Sequence, residues 1–466
     1  RFDGLTVGLQ IGMASIEGTA IAVDEKLPEL FSPKTLPVNV TAKGFLAAGR
    51  IELKGWAPMS ASMGFLELRD KVSNSAPKHA FYFYGQKNKL AEQIPTPIGT
   101  LYLREVGYGF GYRYTLAGIA QAEQAKSPKD LVKILDEVSK HQGSLDSIRA
   151  WEPTYGNDGL TLAMRALFTV SAASTSDSYN AEAEKELPNP LLFDVIAAIR
   201  SDLTFLMNVR SWVAVNYADW ISAGENAAMK SNPTQRGYMY LSAPRQEFLG
   251  RFISDGKGHV GSHPSLPDPL KQAIERTRFS AALYLRPGLF HSELGWPYEL
   301  GFDIGDRNGD FYVRCSGGLV HRIEDAGMLM AIAFRGTGHV RISGRVGGDS
   351  LGASASASAT FALEAKALAY LSLRSKEGSM LYGSFQLNVT VAVAVAVWLR
   401  FKVWRYTVSL SAGFSLSLSL SVAVELVLLE GAGIGGRAHV AIGGQAFGRS
   451  LSLGIGFKFG SHVLDL

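Results

Sequence analysis

Several groups of residues in this 466-residue chain have types and spacings that chemistry could use. His259 and His263 stand four apart, the interval at which one helix face presents two imidazoles to a metal. Gly258, Gly261 and Pro264 oppose a helix there, and neither Asp255 nor His291 supplies a third ligand at a supporting spacing. Both histidines therefore read as loop residues. Asp303, Asp306, Asn308 and Asp310 resemble an oxygen-rich calcium loop, but the glycine is misplaced and no distal bidentate Glu follows. Asn308-Gly309 reads instead as a tight hairpin turn. Gly107, Gly109 and Gly111 alternate with Tyr108, Phe110 and Tyr112 and lead into Arg113-Tyr114 rather than a helix. That is a strand with aromatics on one face, not a dinucleotide loop. Gly431, Gly433, Gly435 and Gly436 fail the same test. Cys315, inside the strand pattern Phe311 to Ser316, reads as a buried, inert thiol. There is no Gly-x-Ser-x-Gly elbow and no phosphate-binding loop. The expectation is a non-enzymatic chain with no catalytic residue, no cofactor and no metal.

The elements that would position such residues are strands. Phe2, Leu5, Val7, Leu9, Ile11 and Met13 begin an alternation that continues, punctuated by Pro and Gly, to about residue 116. A helix is predicted over 128–141. Ser127 caps it, Pro128 suits its first turn, Asp130 sits at the positive end of its dipole, and Leu131, Ile134, Leu135 and Val138 share a face. The chain divides by pattern into an N-terminal β region (1–120), a helical insertion (121–158), a mixed β and loop region (159–324) and a long-stranded amphipathic region (325–466). Within the third of these, 173–189 is a polar loop and 231–270 is loop-rich.

The last region is the most distinctive. Val391, Val393, Val395, Val397, Leu399 and Phe401 fall on one face of one run, and Leu410, Phe414, Leu416, Leu418, Leu420 and Val422 on one face of the next. Alanines and serines fill the opposite faces. A period of two sustained over about 20 residues excludes a helix, and at ~3.3 Å per residue such a strand is roughly 65 Å long unless Gly413, Gly431 or Gly444 bends it. Arg335, His339, Arg341 and Arg345 share a face opposite Ile332, Phe334, Val340 and Ile342. This reads as a solvated face, with an anionic partner surface as the sharper alternative.

Composition narrows the classes. Charged residues make up 19% of the chain and net charge is +4, too little to argue for nucleic acid. One cysteine excludes an intramolecular disulfide framework, and no apolar run reaches the ~18 residues of a transmembrane helix. The compartment is either the cytoplasm or a secreted assembly, and a start at Arg1 without Met leads us to expect sequence upstream. The 50 glycines show no Gly-X-Y period and fit strands that bend or approach closely.

The phrases Val106 to Tyr114, Gly237 to Phe252, Gly256 to Pro264, Tyr284 to Phe290 and Glu293 to Pro297, with the alternating tail, resemble a family of large bacterial β-rich proteins of unknown function. The resemblance covers about residues 100–460, is most specific over 237–264, and implies a long β-sheet module within a larger polypeptide. It brings no catalytic residues.

The expected fold is mainly β: an extended, long-stranded antiparallel sheet system, as a sandwich, prism or trough, with a short helical insertion. A membrane barrel fits least, since membrane strands need only about 9–11 residues. The leading functional expectation is a structural or assembly module that associates with itself or other chains. The alternative is a carrier of lipid or another hydrophobic ligand in an apolar β-trough.

Overall fold

A computed structural model describes residues 5–460 except 12–13, 25–35, 38, 54–58, 74, 97–98, 142–144, 157, 172–190, 224–229, 231, 255, 257, 259, 261–267, 375–377, 404–405, 431–432 and 447–448. The polar 173–189 segment, Asp255, His259, His263 and Gly431 lie outside the described residues. Among the described residues strand accounts for 72% and there are four short helices, so the chain is mainly β with a helical insertion. It divides into two compact units, Arg1–Glu275 with Leu283–Pro287, and Arg276–Ala282 with Gly288–Leu466.

The first unit holds β1 (Leu5–Ile11), β2 (Ala14–Val23), β3 (Val40–Leu53), β4 (Met59–Asp70), β5 (Lys78–Lys87), β6 (Glu92–Thr96) and β7 (Gly99–Tyr112). A short pair, β8 (Tyr114–Leu116) and β9 (Trp151–Pro153), forms its own ladder. Then come β10 (Leu160–Ser171), β11 (Leu191–Arg200), β12 (Thr204–Val213), β13 (Gln235–Ser242) and β14 (Glu247–Ser254). The antiparallel order is β1-β2-β3-β4-β5-β7-β10-β11-β12-β13-β14, with β6 beside the first half of β7.

One face of this sheet is covered. Helix α1 (Ala117–Ala122) buries Ile119 and Ala120, and α2 (Pro128–His141) buries Leu131, Leu135 and Val138. The predicted cap is present, with the Asp130 amide donating to Ser127 Oγ at 3.1 Å. A third helix, α3 (Tyr217–Ser222), starts where Asn216 Oδ1 accepts from the Ala218 amide at 2.8 Å. It closes a core of Leu167, Leu192, Trp212, Val215, Tyr217 and Trp220. α4 (Asp268–Arg276) follows.

The Gly107, Gly109 and Gly111 pattern has its reason on that covered face. A Cβ on Gly107 would lie 2.1 Å from the Tyr84 hydroxyl, and one on Gly109 would lie 2.9 Å from Trp151 Cζ2. Glycine leaves the room these rings occupy, while Phe110 on the other face packs on Phe81 and Phe83.

The second unit is a meander. Its strands are β15 (Phe279–Arg286, shared between the units by residue number), β16 (Leu289–Leu294), β17 (Leu300–Gly305), β18 (Phe311–Glu324), β19 (Gly327–Gly347), β20 (Leu351–Ser372), β21 (Met380–Val403), β22 (Tyr406–Leu429), β23 (Gly433–Ala446) and β24 (Arg449–Gly460). β16 and β17 share the edge of β18, and from β18 onward each strand pairs antiparallel with the next. The Asp306-to-Phe311 turn is a hairpin, with the Asn308 amide on Asp306 Oδ1. Residues 324 and 325 lie at the tip of another hairpin, β18–β19, so no boundary between compact units falls there. β21 and β22 are each 24 residues long, on the order of 80 Å. β22 runs straight through Gly413 and β23 through Gly444, so neither glycine ends a strand.

Candidate functional site

Register decides which side chains share a face, because directly paired residues of an antiparallel ladder point the same way. Val391 pairs with Leu418, Val393 with Leu416, Val395 with Phe414 and Leu399 with Leu410. Leu420 and Val422 pair with Val389 and Leu387. The two runs picked out by sequence therefore merge into one apolar patch. Phe401 occupies the matching backbone position opposite Val408, but its side chain lies outside the described residues.

The patch extends well beyond those runs. Following the ladders, Phe302, Cys315, Gly336, Leu363, Leu387, Val422, Val440 and Ile455 form one cross-strand row. Among the described residues, this face carries no Asp, Glu, Lys or Arg from β16 to β23, and in β24 only Arg449, at the start of the strand. Nor is it sealed: Leu418 is 53% exposed, Ile332 57% and Leu451 79%. Residues 409–416 are exposed on both faces of β22, so the sheet there is a single layer.

Near the ends of β18, β19, β21 and β22 the apolar face dips into a cleft of about 720 Å³ that crosses six strands, β18 to β23. Leu319, Met330, Ile332, Leu381, Leu428 and Ile434 project into it. Alternation alone does not reveal this cleft, because it exists only once register sets residues 319–332 beside 381–383 and 426–434.

The opposite face is polar and partly occupied. Arg335, His339, Arg341 and Arg345 do share it, as the alternation implied. Arg335 bonds Glu364 at 2.6 Å, and Glu364 also holds Lys366 and accepts from the Tyr298 hydroxyl. The Lys366 contact, outweighing what little burial opposes it and helped by Arg335, holds the Glu364 carboxyl down at about 2. His339 Nε2 lies 2.9 Å from the Gly309 carbonyl, Arg345 meets Asp349 at 3.2 Å and stacks on Trp398, and the Arg341 backbone amide donates to Asp310. Three of the four basic side chains are thus committed to contacts within the chain.

A second polar constellation, invisible in the sequence, lies under the helices of the first unit. The β7–β10 register slips between Leu167, opposite Glu105, and Phe168, opposite Leu103, so Arg104 is an inserted bulge residue. The bulge turns both Arg104 and Glu105 inward, where both are buried. Arg165 bridges Glu105 at 3.3 Å and Asp194 at 2.9 Å, and Arg210 meets Asp194 at 2.5 Å. Burial would raise the Asp194 carboxyl, but the two arginines outweigh it and hold it at about 2. For Glu105 burial wins over Arg165 and the carboxyl is raised. Opposite charges that satisfy one another in this way tie four strands together, β7, β10, β11 and β12.

No helix among the described residues is long and apolar enough to cross a membrane. No family model, curated protein or solved structure matches the chain.

Proposed function

We propose that the chain binds the hydrocarbon chains of lipids, or of similar hydrophobic ligands, along the apolar face of its second unit. One observation carries this reading: a face without an Asp, Glu, Lys or Arg among the described residues from β16 to β23, open to its surroundings and dipping into a hydrocarbon-lined cleft of about 720 Å³. Exposed apolar patches of this extent mark interaction surfaces rather than ordinary protein exterior, and 720 Å³ falls within the ~300–1,000 Å³ of small-molecule sites. Strands of 24 residues are more than twice the about 9–11 that a membrane strand needs, which favours a hydrocarbon lying in the sheet over a sheet spanning a bilayer. The resemblance to large bacterial β-rich proteins is compatible with a sheet module of this kind. Native mass spectrometry after mild extraction should detect co-purified lipid, and the emptied chain should take up labelled fatty acid. A clean apo mass with no uptake would overturn the reading.

A structural or assembly role is the second reading, and β24 favours it. All of its residues are exposed, and among the described residues it pairs only with β23. A long, flat, unpaired edge is a template for a strand of another chain. Sedimentation at high protein concentration tests it, and strictly monomeric behaviour would remove it.

A further inference from the structure

The apolar face is interrupted by very few hydrogen-bonding side chains, and two of them are neighbours. His321 of β18 pairs in register with Ser292 of β16 on one side and Met330 of β19 on the other, so all three project from the apolar face. The His321 ring stands edge-on to Phe290, with centroids 5.4 Å apart. His321 lines the cleft at its β18 margin, while Ile434 of β23 lines the far one. Its Nε2 is buried and meets no hydrogen-bonding atom of the protein. An imidazole nitrogen left this way is destabilising until a partner arrives.

We propose, resting on the hydrocarbon-binding reading above, that His321 and Ser292 form the head-group end of the cleft and that its ligand is a long-chain fatty acid. Six strands at ~4.8 Å spacing give about 24 Å of hydrocarbon-lined floor, room for one long chain laid across the strands. At its β18 end an Nε2–H and a serine hydroxyl supply two donors, which suits a carboxylate with two acceptor oxygens. A two-chain phospholipid would have to place a far larger head group at a point flanked by Phe290 and Met330.

The experiment compares palmitic acid with hexadecane, the same hydrocarbon without a head group, on the full chain and on His321→Leu, His321→Gln and Ser292→Ala. The wild type should bind palmitic acid at least tenfold more tightly than hexadecane. His321→Leu should reduce palmitic acid to the hexadecane level and leave hexadecane within twofold, while His321→Gln, keeping one donor, should restore part of the difference. Palmitic acid should also shift the His321 ring nitrogen resonances, which a merely structural histidine would not show. Equal binding of the two probes by the wild type, or an unchanged ratio in both His321 variants, overturns the head-group assignment while leaving hydrocarbon binding intact. Binding of neither probe overturns both. If His321→Leu fails to fold, the ratio in His321→Gln and Ser292→Ala decides.

Discussion

Replacing Ile332 by aspartate distinguishes an open apolar face from a packed core, because the two give opposite results. Ile332 lies in the cleft between Leu319 and Ala367 in register and is 57% exposed. Full burial of such a side chain is worth ~1.5–3 kcal/mol, so covering its exposed part with ligand contributes about 1 kcal/mol. Ile332→Ala should therefore weaken hydrocarbon binding about fivefold. Ile332→Asp loses that contribution and adds a carboxylate that the ligand would strip of water, a penalty of several kcal/mol. The affinity loss should exceed ~100-fold. In the unliganded chain the same carboxylate stays hydrated, and stability should change by about 1 kcal/mol, the span of strand preferences. Titration with a fluorescent fatty acid reads the first quantity and urea unfolding the second. An Ile332→Asp chain that binds within threefold of wild type, or one that does not fold, would refute the reasoning.

Other expectations follow from different parts of the molecule. Asp194→Asn should destabilise the first unit by about 3–5 kcal/mol, since it strips Arg165 and Arg210 of their buried partner; unfolding followed by the fluorescence of Trp212 and Trp220 measures it. Because the folded Asp194 carboxyl is depressed to about 2 from an ordinary 3.8, its stabilisation is complete above pH 3.8 and is lost as pH falls towards 2. The wild-type minus Asp194→Asn stability difference should therefore be flat above about pH 4 and shrink below it, and a difference independent of pH down to 2 would contradict the ion network. Gly109→Ala should cost about 1–3 kcal/mol, with its Cβ 2.7 Å from the Phe83 carbonyl oxygen and 2.9 Å from Trp151, whereas Gly344→Ala, with nothing within 4 Å, should be close to neutral, and urea unfolding of both variants measures the difference.

The long strands were legible because alternation over 20 residues has one backbone solution. The runs from 391 and 410 lie on β21 and β22. Helix α2 was legible from Ser127, Pro128 and its apolar stripe. What alternation leaves open is whether an apolar face is covered, since a sandwich core and an open trough write the same period into Val391 to Val397. The cleft around Ile332 depends on register between residues about a hundred positions apart, and the Arg104 bulge changes the phase of β7 without a marking glycine or proline. Helices α1 and α3 are six residues each, too short for a periodic stripe, although Asn216 and Asp219 are the start signal of the second.

The meander from β18 to β24 has a mechanical consequence. Each strand touches the one before and the one after, as repeats do in a solenoid, so stability is set by neighbour-to-neighbour ladders rather than by a shared interior. Hairpins of this kind zip up locally and in sequence, without the slow search for distant partners that sandwiches require. Opening should then propagate inward from the β24 end, and the amides of β20 and β21, flanked on both sides by ladders of 20 or more pairs, should be the last of the sheet to exchange with solvent.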